Sequence, residues 1–174
     1  MSNEPIETVW AGKFIEARRQ GRWEFVGRAN KIHAAVILAI DEGHVLLVEQ
    51  HRVPLGASCL ELPAGLVGDV DKDETVELSA ARELEEETGY RPERIEIIGR
   101  FGSSPGMLSE TFTLVKAHGL TKVGEGGGDD HEGITVHRVK LADVPDFVAR
   151  KRAEGLMVDA KMLLLLADSI LSAR

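Results

Sequence analysis

Four glutamates crowd one stretch of this sequence, at positions 83, 85, 86 and 87. If the stretch is helical, Glu83, Glu86 and Glu87 fall within an arc of about 100° and form one carboxylate face. Carboxylates at this spacing repel one another, so the face needs a positive partner. Hard divalent cations prefer oxygen ligands, and Glu83 and Glu87, one turn apart, can reach the same ion. The spacing therefore predicts a metal-binding face, and the alternative is a solvated acidic surface.

The helix that carries these glutamates is predicted to run from Asp73 or Glu74 to Thr88. Its acidic first turn suits the helix dipole, and Gly89 is favourable directly after the last turn. A second arc of the same helix is expected to pack against the core: Leu78, Ala81, Leu84 and Thr88.

The flanking elements predict a mixed β-sheet between helices, an α/β (α+β) fold in the order β-β-α-β-β-β-α-α. Strands are expected at residues 32–40, 45–50, 95–100, 111–117 and 134–141, and a loop at residues 53–68 that the short run Cys59–Leu62 interrupts. We expect Asp143 to cap one helix, and Asp159 to cap a largely buried helix over residues 160–172. Residues 8–29 predict one or two hairpins, which places a small antiparallel β element at 1–30 and the main domain at 31–174.

Composition restricts the possible partners. The 174 residues carry a formal net charge of −8, which argues against nucleic acid or an anionic membrane as the main partner. Cys59 is the single cysteine, so an internal disulfide is excluded and a reducing compartment is favoured. The first ten residues lack the features of a signal peptide, and the most apolar segment is interrupted by charges. A soluble, cytoplasmic protein is expected.

The glutamates belong to a longer pattern. Gly68, five residues, Glu74, seven residues and then the run RELEEETGY from Arg82 resemble the Nudix box, G-x5-E-x7-R-E-U-x-E-E-x-G-U. Every fixed position matches, and Tyr90 replaces the more usual aliphatic residue at the last one. The sequence is therefore identified as a member of the Nudix hydrolases, whose fold is a mixed sheet between helices. The resemblance implies hydrolysis of a nucleoside diphosphate linked to another moiety, with Mg²⁺ or Mn²⁺.

The resemblance also assigns roles within the box. Glu83 and Glu87 would be the main metal ligands, and Glu86 would share the cluster and take part in catalysis. Arg82 would orient a carboxylate, and Glu74 would tie the preceding loop to the helix. This assignment agrees with the chemistry of a diphosphate, because hard cations can neutralise its charge and activate a water.

Upstream of the box, two elements resemble the ADP-ribose pyrophosphatase branch of the family. The run ELPAG implies that the Ala64 carbonyl is a metal ligand and that Glu61 contacts the substrate or a metal-bound water. The run QHR implies that Arg52 binds the diphosphate, and a guanidinium pairs well with phosphate oxygens. His51 stands where this branch usually has tyrosine.

Downstream, the run SPG points to nucleotide sugars. Pro105 lies 15 residues after Tyr90, the offset of ADP-ribose-type and other nucleotide-sugar hydrolases, and Pro105, Gly106 and Glu110 are expected to contact the substrate. In the same branch the catalytic base is a glutamate before a late strand, which Glu132 matches. Asp130 and Glu125 are the alternatives.

The resemblance implies that the N-terminal element binds the nucleobase and forms a homodimer, and the alternative is an edge sheet packed on the same subunit. Trp23, Arg28 and Phe25 can stack on a purine. The expected reaction is metal-dependent hydrolysis of the pyrophosphate bond of a nucleoside diphosphate sugar, in the first place ADP-ribose to AMP and ribose 5-phosphate. The alternatives are GDP-mannose, a dinucleoside polyphosphate or another nucleotide as substrate, and a non-catalytic Nudix-like binding domain.

Overall fold

The computed structural model describes residues 4–30, 32–68, 73–128 and 133–172, so the predicted base Glu132 and its alternative Asp130 lie outside the described residues. Within these ranges the strands are β1 Glu7–Ala11, β2 Ile15–Gln20, β3 Trp23–Arg28, β4 His33–Asp41, β5 His44–Arg52, β6 Ala57–Glu61, β7 Ala64–Val67, β8 Tyr90–Arg91, β9 Arg94–Gly102, β10 Thr111–His118, β11 Thr121–Lys122, β12 Thr135–Lys140 and β13 Met157–Val158. The helices are α1 Val76–Thr88, α2 Val144–Ala153 and α3 Leu163–Ser172, with 3₁₀ turns at Val53–Leu55, Leu141–Asp143 and Ala160–Met162.

The central sheet is mixed, in the order β13-β6-β5-β4-β10-β9, with β12 paired to β5 and β7 paired to β4. The β10–β4 and β13–β6 pairs are parallel, and the other pairs in this sheet are antiparallel. A two-stranded β8–β11 pair lies apart from it. The predicted fold class is therefore confirmed.

Apolar side chains cover both faces of the central strands. Ala35, Ile37 and Ala39 of β4 pack with Leu84 of α1, whereas Val36 packs on the other face with residues of α2 and α3. Alternation of this kind explains why β4 reads as an almost continuous apolar run, because both of its faces are buried. The sheet thus lies between α1 on one side and α2 with α3 on the other.

The N-terminal segment forms the antiparallel sheet β1-β2-β3, which is two hairpins. Val26 of β3 joins it to the main domain, because its N–H donates to Met107 O and its carbonyl accepts from Ser109 N–H, both at 2.9 Å. The division at residue 30 stays a prediction. No helix among the described residues is long and apolar enough to cross a membrane.

The prediction of a loop over residues 53–68 is wrong for Ala64–Val67, which forms β7, whereas β6 overlaps the predicted interruption at residues 59–62. The composition of this stretch, with Pro63 and Gly65, is typical of a loop. Strand partners elsewhere in the chain, β5 for β6 and β4 for β7, supply the hydrogen bonds that override this local preference.

The helix α1 begins later than predicted, because Thr75 caps it. The Thr75 hydroxyl accepts a hydrogen bond from Leu78 N–H at 3.3 Å. Leu78 is 63% exposed, so its predicted burial is wrong. It lies about 120° around the helix from the buried Leu84, and Ala80, one turn before Leu84, fills the core position instead.

The last helix also differs from prediction. Asp159 caps its 3₁₀ start as expected, because its Oδ1 accepts from Lys161 N–H at 2.7 Å. In α3, however, only Leu166 is buried, since this helix packs through one face. Four of its large apolar residues are half exposed or more: Leu163, Leu164, Ile170 and Leu171. Asp143 precedes α2 but makes no side-chain cap hydrogen bond, so that predicted cap is wrong.

Candidate active site

Arg82 holds the acidic face of α1 together. Its Nη1 donates to Glu83 Oε1 at 3.0 Å and to Glu86 Oε2 at 3.1 Å. Its Nε and Nη2 donate to the Glu74 carboxylate, both at 3.3 Å. The hydrogen bonds with Glu74 are the main cause that raises the pKa of Arg82, so the guanidinium stays charged.

The like charges of α1 are therefore partly compensated within the protein. Besides the contacts of Arg82, Glu85 accepts two hydrogen bonds from Arg91, at 2.7 and 2.8 Å. The sequence predicted that a metal ion compensates this face. The prediction is corrected in one respect, because Arg82 and Arg91 supply part of the positive charge. What remains for an ion is the side of the face turned toward β7.

Two carboxylates of α1 converge on the start of β7. The buried Glu87 accepts a hydrogen bond at Oε2 from Ala64 N–H, at 3.1 Å. A side chain at Gly65 would place its Cβ 1.9 Å from Cδ of Glu83, so glycine is the residue that lets Glu83 approach. We call Glu83, Glu86 and Glu87 with Ala64 the acidic wall.

The acidic wall borders a cleft of about 1180 Å³. Nine residues predicted for the site line it: Arg28, Arg52, Glu61, Ala64, Arg82, Glu83, Glu86, Glu87 and Glu110. Within the described part of the chain, Trp23, Pro105 and Gly106 are not among the lining residues, and Glu74 lies behind Arg82.

Two arginines, which we call the arginine wall, line the same cleft and are each paired with a carboxylate. Arg52 donates through Nε and Nη2 to the two oxygens of the buried Glu61, at 2.6 and 2.8 Å. This contact is the main cause that raises the pKa of Arg52. Arg28 Nε donates to Glu110 Oε1 at 2.6 Å, which connects β3 to the segment before β10. Residues predicted separately are thus coupled in pairs.

The model of the NUDIX domain family matches residues 30–160, which include both walls except Arg28. The chain belongs to the Nudix family. A methanol dehydrogenase activator of Bacillus methanolicus is 38% identical over 119 residues, 68% of this chain and 63% of that protein. An ADP-ribose pyrophosphatase of Bacillus subtilis is 34% identical over 145 residues, 79% of this chain and 77% of that protein.

A solved structure described as an ADP compounds hydrolase shares the fold, with a TM-score of 0.68 and 23% identity over 95% of this chain and 91% of that one. The predicted family is confirmed. Relatives named as pyrophosphatases agree with the predicted enzyme class, a Nudix hydrolase acting on pyrophosphate bonds.

Nudix hydrolases generally use divalent metal ions, and the donor chemistry of the acidic wall fits one. Ala64, Glu83, Glu86 and Glu87 offer oxygen ligands, which Mg²⁺ and Mn²⁺ prefer. Among the described residues, no three His, Cys, Asp or Glu side chains stand close enough to hold an ion by themselves. An ion would therefore draw on a backbone carbonyl such as that of Ala64, and on movement of the half-exposed Glu86.

Sequence reasoning missed a third part of this Nudix cleft. Phe112, Asp159 and Lys161 line it, and Lys161 Nζ lies 2.6 Å from Asp159 Oδ2 and 5.8 Å from the centre of the Phe112 ring. Asp159 and Lys161 reach the cleft because β13 pairs with β6 and Asp159 N–H donates to Leu60 O at 3.0 Å, whereas Phe112 belongs to β10. Asp159 carries only the signal of a helix cap, so no local pattern could have indicated this position.

Cys59 and Glu125 are poorly suited to a catalytic role. Cys59 lines the cleft, but burial raises its pKa to about 12, so the thiol stays neutral and is a poor nucleophile. Glu125, an alternative base, is 93% exposed, pairs with Lys122 and borders a separate pocket.

Proposed function

We propose that this protein hydrolyses the pyrophosphate bond of a nucleoside diphosphate sugar, and that ADP-ribose is its substrate, with AMP and ribose 5-phosphate as products. The observation that carries the proposal is the meeting of the acidic wall and the arginine wall in one cleft. A diphosphate needs both, because cations held by carboxylates and guanidinium groups neutralise its charge from different sides. We choose ADP-ribose as the substrate because the chain is similar to the ADP-ribose pyrophosphatases of Bacillus subtilis and yeast, with 34% and 30% identity.

The acidic wall is the proposed site of Mg²⁺ or Mn²⁺. When bound, the cation supplies charge neutralisation and a water of lowered pKa. Glu83 and Glu87 would hold it together with the Ala64 carbonyl, and Glu86 would join from its exposed position. Arg82 would keep Glu83 and Glu86 in place through the hydrogen bonds that it already makes.

Arg52 is the proposed diphosphate ligand. Its pairing with Glu61 engages Nε and Nη2, and Nη1 offers two further donors for a phosphate oxygen. Because Glu61 is buried and fixes the guanidinium plane, substrate binding would cost Arg52 little side-chain entropy. Arg28, held by Glu110, is proposed to contact the nucleobase together with Trp23. Pro105 and Gly106 are proposed to border the substrate from the loop before β10.

The general base is proposed to be Glu132, on the sequence argument given above. We expect Glu132→Gln to lower kcat by about 100-fold or more with KM little changed, since a base acts on the reacting water and not on substrate affinity. Steady-state kinetics with Glu125→Gln as the control measures this. Full activity in Glu132→Gln would move the role to another carboxylate.

We also propose a homodimer formed through the N-terminal sheet. Val9, Trp10, Phe14 and Trp23 are each more than half exposed on this small sheet, which is a large apolar surface for a monomer. We expect Trp10→Ser with Phe14→Ser to yield monomers in light scattering, whereas Leu171→Ser, equally apolar and 82% exposed on α3, leaves the dimer intact. A monomeric unsubstituted protein would exclude the dimer.

A cytoplasmic location stays a prediction from composition.

The proposed substrate is tested by comparing a panel of nucleotide compounds. Purified protein with Mg²⁺ or Mn²⁺ is incubated with ADP-ribose, ADP-glucose, GDP-mannose and a diadenosine polyphosphate, and the released mononucleotide is identified. We expect AMP from ADP-ribose at the highest kcat/KM. Preferred release of GMP from GDP-mannose would replace the proposed substrate, and no release from any compound would overturn the proposal.

A further inference from the structure

The C-terminal end of α1 is capped by a distant part of the chain. A helix leaves its last four carbonyls without partners inside the helix. Here Gly89 N–H donates to Glu85 O at 2.8 Å, as in an ordinary left-handed cap. Two further donors come from far downstream: Gly127 N–H reaches Glu87 O at 2.8 Å, and Gly128 N–H reaches Glu86 O at 3.1 Å.

The same segment also contacts the residue after the helix. Val123 and Gly124 donate their N–H groups to Gly89 O, at 2.8 and 3.1 Å. We call residues 123–128 the cap loop. Four of its backbone donors thus meet the carbonyls of Glu86, Glu87 and Gly89, at the negative end of the helix dipole. These donors offset partial negative charge where the carboxylates of the acidic wall are most crowded.

The two backbones approach so closely that only glycine fits. A Cβ on Gly126 would lie 2.4 Å from the carbonyl carbon of Thr88 and 2.6 Å from Glu87 O. A Cβ on Gly89 would lie 2.2 Å from Gly124 O. Both obstacles are backbone atoms, which cannot rotate away as a side chain would. Relief of the Gly126 contact requires a shift of about 1 Å, since ordinary carbon contacts begin near 3.5 Å.

We propose that the cap loop positions the metal-binding glutamates of α1, with Gly126 as the positioning residue. Two of the carbonyls that it caps belong to Glu86 and Glu87, whose side chains form part of the acidic wall. A shift of about 1 Å in this turn moves Glu87 relative to Ala64, and metal sites tolerate only about 0.2 Å in ligand distance. The inference rests on the proposed function, since it takes Glu86 and Glu87 as ligands.

The experiment compares Gly126→Ala with Gly43→Ala in the full chain. Both glycines have a left-handed backbone, at φ of 70° and 72°, so both substitutions introduce similar strain. A Cβ on Gly43, in the β4–β5 hairpin, meets nothing within 4 Å. Only Gly126→Ala therefore adds the contact with α1, and the difference between the variants isolates it.

The readout is the affinity for Mn²⁺, measured without substrate by the electron paramagnetic resonance signal of free Mn²⁺. We expect Gly126→Ala to raise the Kd for Mn²⁺ about tenfold, and Gly43→Ala to leave it within about twofold. A folded Gly126→Ala protein with unchanged Mn²⁺ affinity would overturn the inference alone. Absence of Mn²⁺ binding by the unsubstituted protein would overturn the proposed function and this inference with it.

A second measurement needs no variant, in case Gly126→Ala does not fold. Coupling between two sites is reciprocal, so metal binding must also stabilise the cap. We expect the amide protons of Gly127 and Gly128 to exchange more slowly with solvent when Mg²⁺ is added. Equal exchange with and without Mg²⁺ would contradict the coupling.

Discussion

The acidic wall and the arginine wall differ in how far apart in sequence their partners lie. Arg82 reaches carboxylates one, four and eight residues away, all on α1 or just before it. Arg52 pairs with a residue nine positions away on the neighbouring strand, and Arg28 with one 82 positions away. The acidic wall is therefore organised by one helix and its strand contact. The arginine wall exists only once the central sheet and the N-terminal sheet have assembled.

Because the two walls are organised differently, substitutions in them should affect catalysis differently. We expect the largest effect from a substitution in the acidic wall. We expect Glu87→Gln to lower kcat by more than about 100-fold, because the loss of a metal ligand exceeds what supporting residues cost. Circular dichroism should show an intact fold. Glu85→Gln, which removes a glutamate of the same helix that pairs with Arg91 outside the cleft, is the control and should stay within about twofold. Near-normal turnover of Glu87→Gln would remove the metal assignment.

The arginine wall should affect substrate affinity more than turnover. We expect Arg52→Ala to raise KM by about 10- to 100-fold, since a hydrogen bond to a charged group contributes about 1.5 to 3 kcal/mol. The substitution also leaves the buried Glu61 carboxylate unpaired, which lowers the melting temperature.

The double variant Arg52→Ala with Glu61→Gln separates these two effects. It removes the unpaired charge, so stability should recover while KM stays high. Arg138→Ala, which breaks the exposed pair with Glu42, is a surface control. An unchanged KM in Arg52→Ala would show that the diphosphate is held elsewhere.

The contact between α1 and β7 gives a smaller effect. In Gly65→Ala the new methyl group takes the space of the Glu83 carboxylate, which must move. We expect the Kd for Mn²⁺ to rise about fivefold, below the roughly 10- to 100-fold change that the complete loss of a supporting group causes. Gly99→Ala, whose Cβ meets only the Phe101 ring at 3.5 Å, is the matched control. Equal Mn²⁺ affinity in both variants would mean that Glu83 is not a ligand.

The smallest effect concerns acid stability. Hydrogen bonds from Arg82 and Ser79 lower the pKa of Glu74 below its ordinary value of 4.5. A carboxyl group with a lowered pKa in the folded state stabilises the fold above its unfolded pKa, and this contribution disappears as pH falls through the folded pKa.

We expect Glu74→Gln to lower the free energy of unfolding by about 1 kcal/mol at pH 7 and to have little effect at pH 3. Urea unfolding at both pH values measures this, with the 93%-exposed Glu125→Gln as control. An equal loss at both pH values would contradict the assignment.

Local patterns predicted much of this molecule. The spacing of Arg82, Glu83 and Glu86 is sufficient to place them on one face of α1, because their geometry follows from the helical repeat alone. The apolar run of β4 likewise predicts a strand covered on both faces. The roles of the residues in the cleft remain predictions.

Features that depend on distant pairing were not predictable in the same way. β7 reads as a loop until its pairing with β4 is known, and Lys161 reaches the cleft only because β13 pairs with β6. The apolar composition of α3 predicts more burial than the structure shows, since its apolar residues surround the helix while it packs through one face. The cap loop reads as a polar, glycine-rich loop, because its partner is the end of a helix more than 30 residues away.

The most direct test follows ADP-ribose by phosphorus NMR with unsubstituted protein and with Glu87→Gln, each with and without Mg²⁺. We expect the two diphosphate signals to be replaced by the phosphomonoester signals of AMP and ribose 5-phosphate in equal amounts. This conversion should require the metal and should be lost in Glu87→Gln. Persistence of the diphosphate signals with unsubstituted protein and Mg²⁺, or equal conversion by Glu87→Gln, would contradict this expectation.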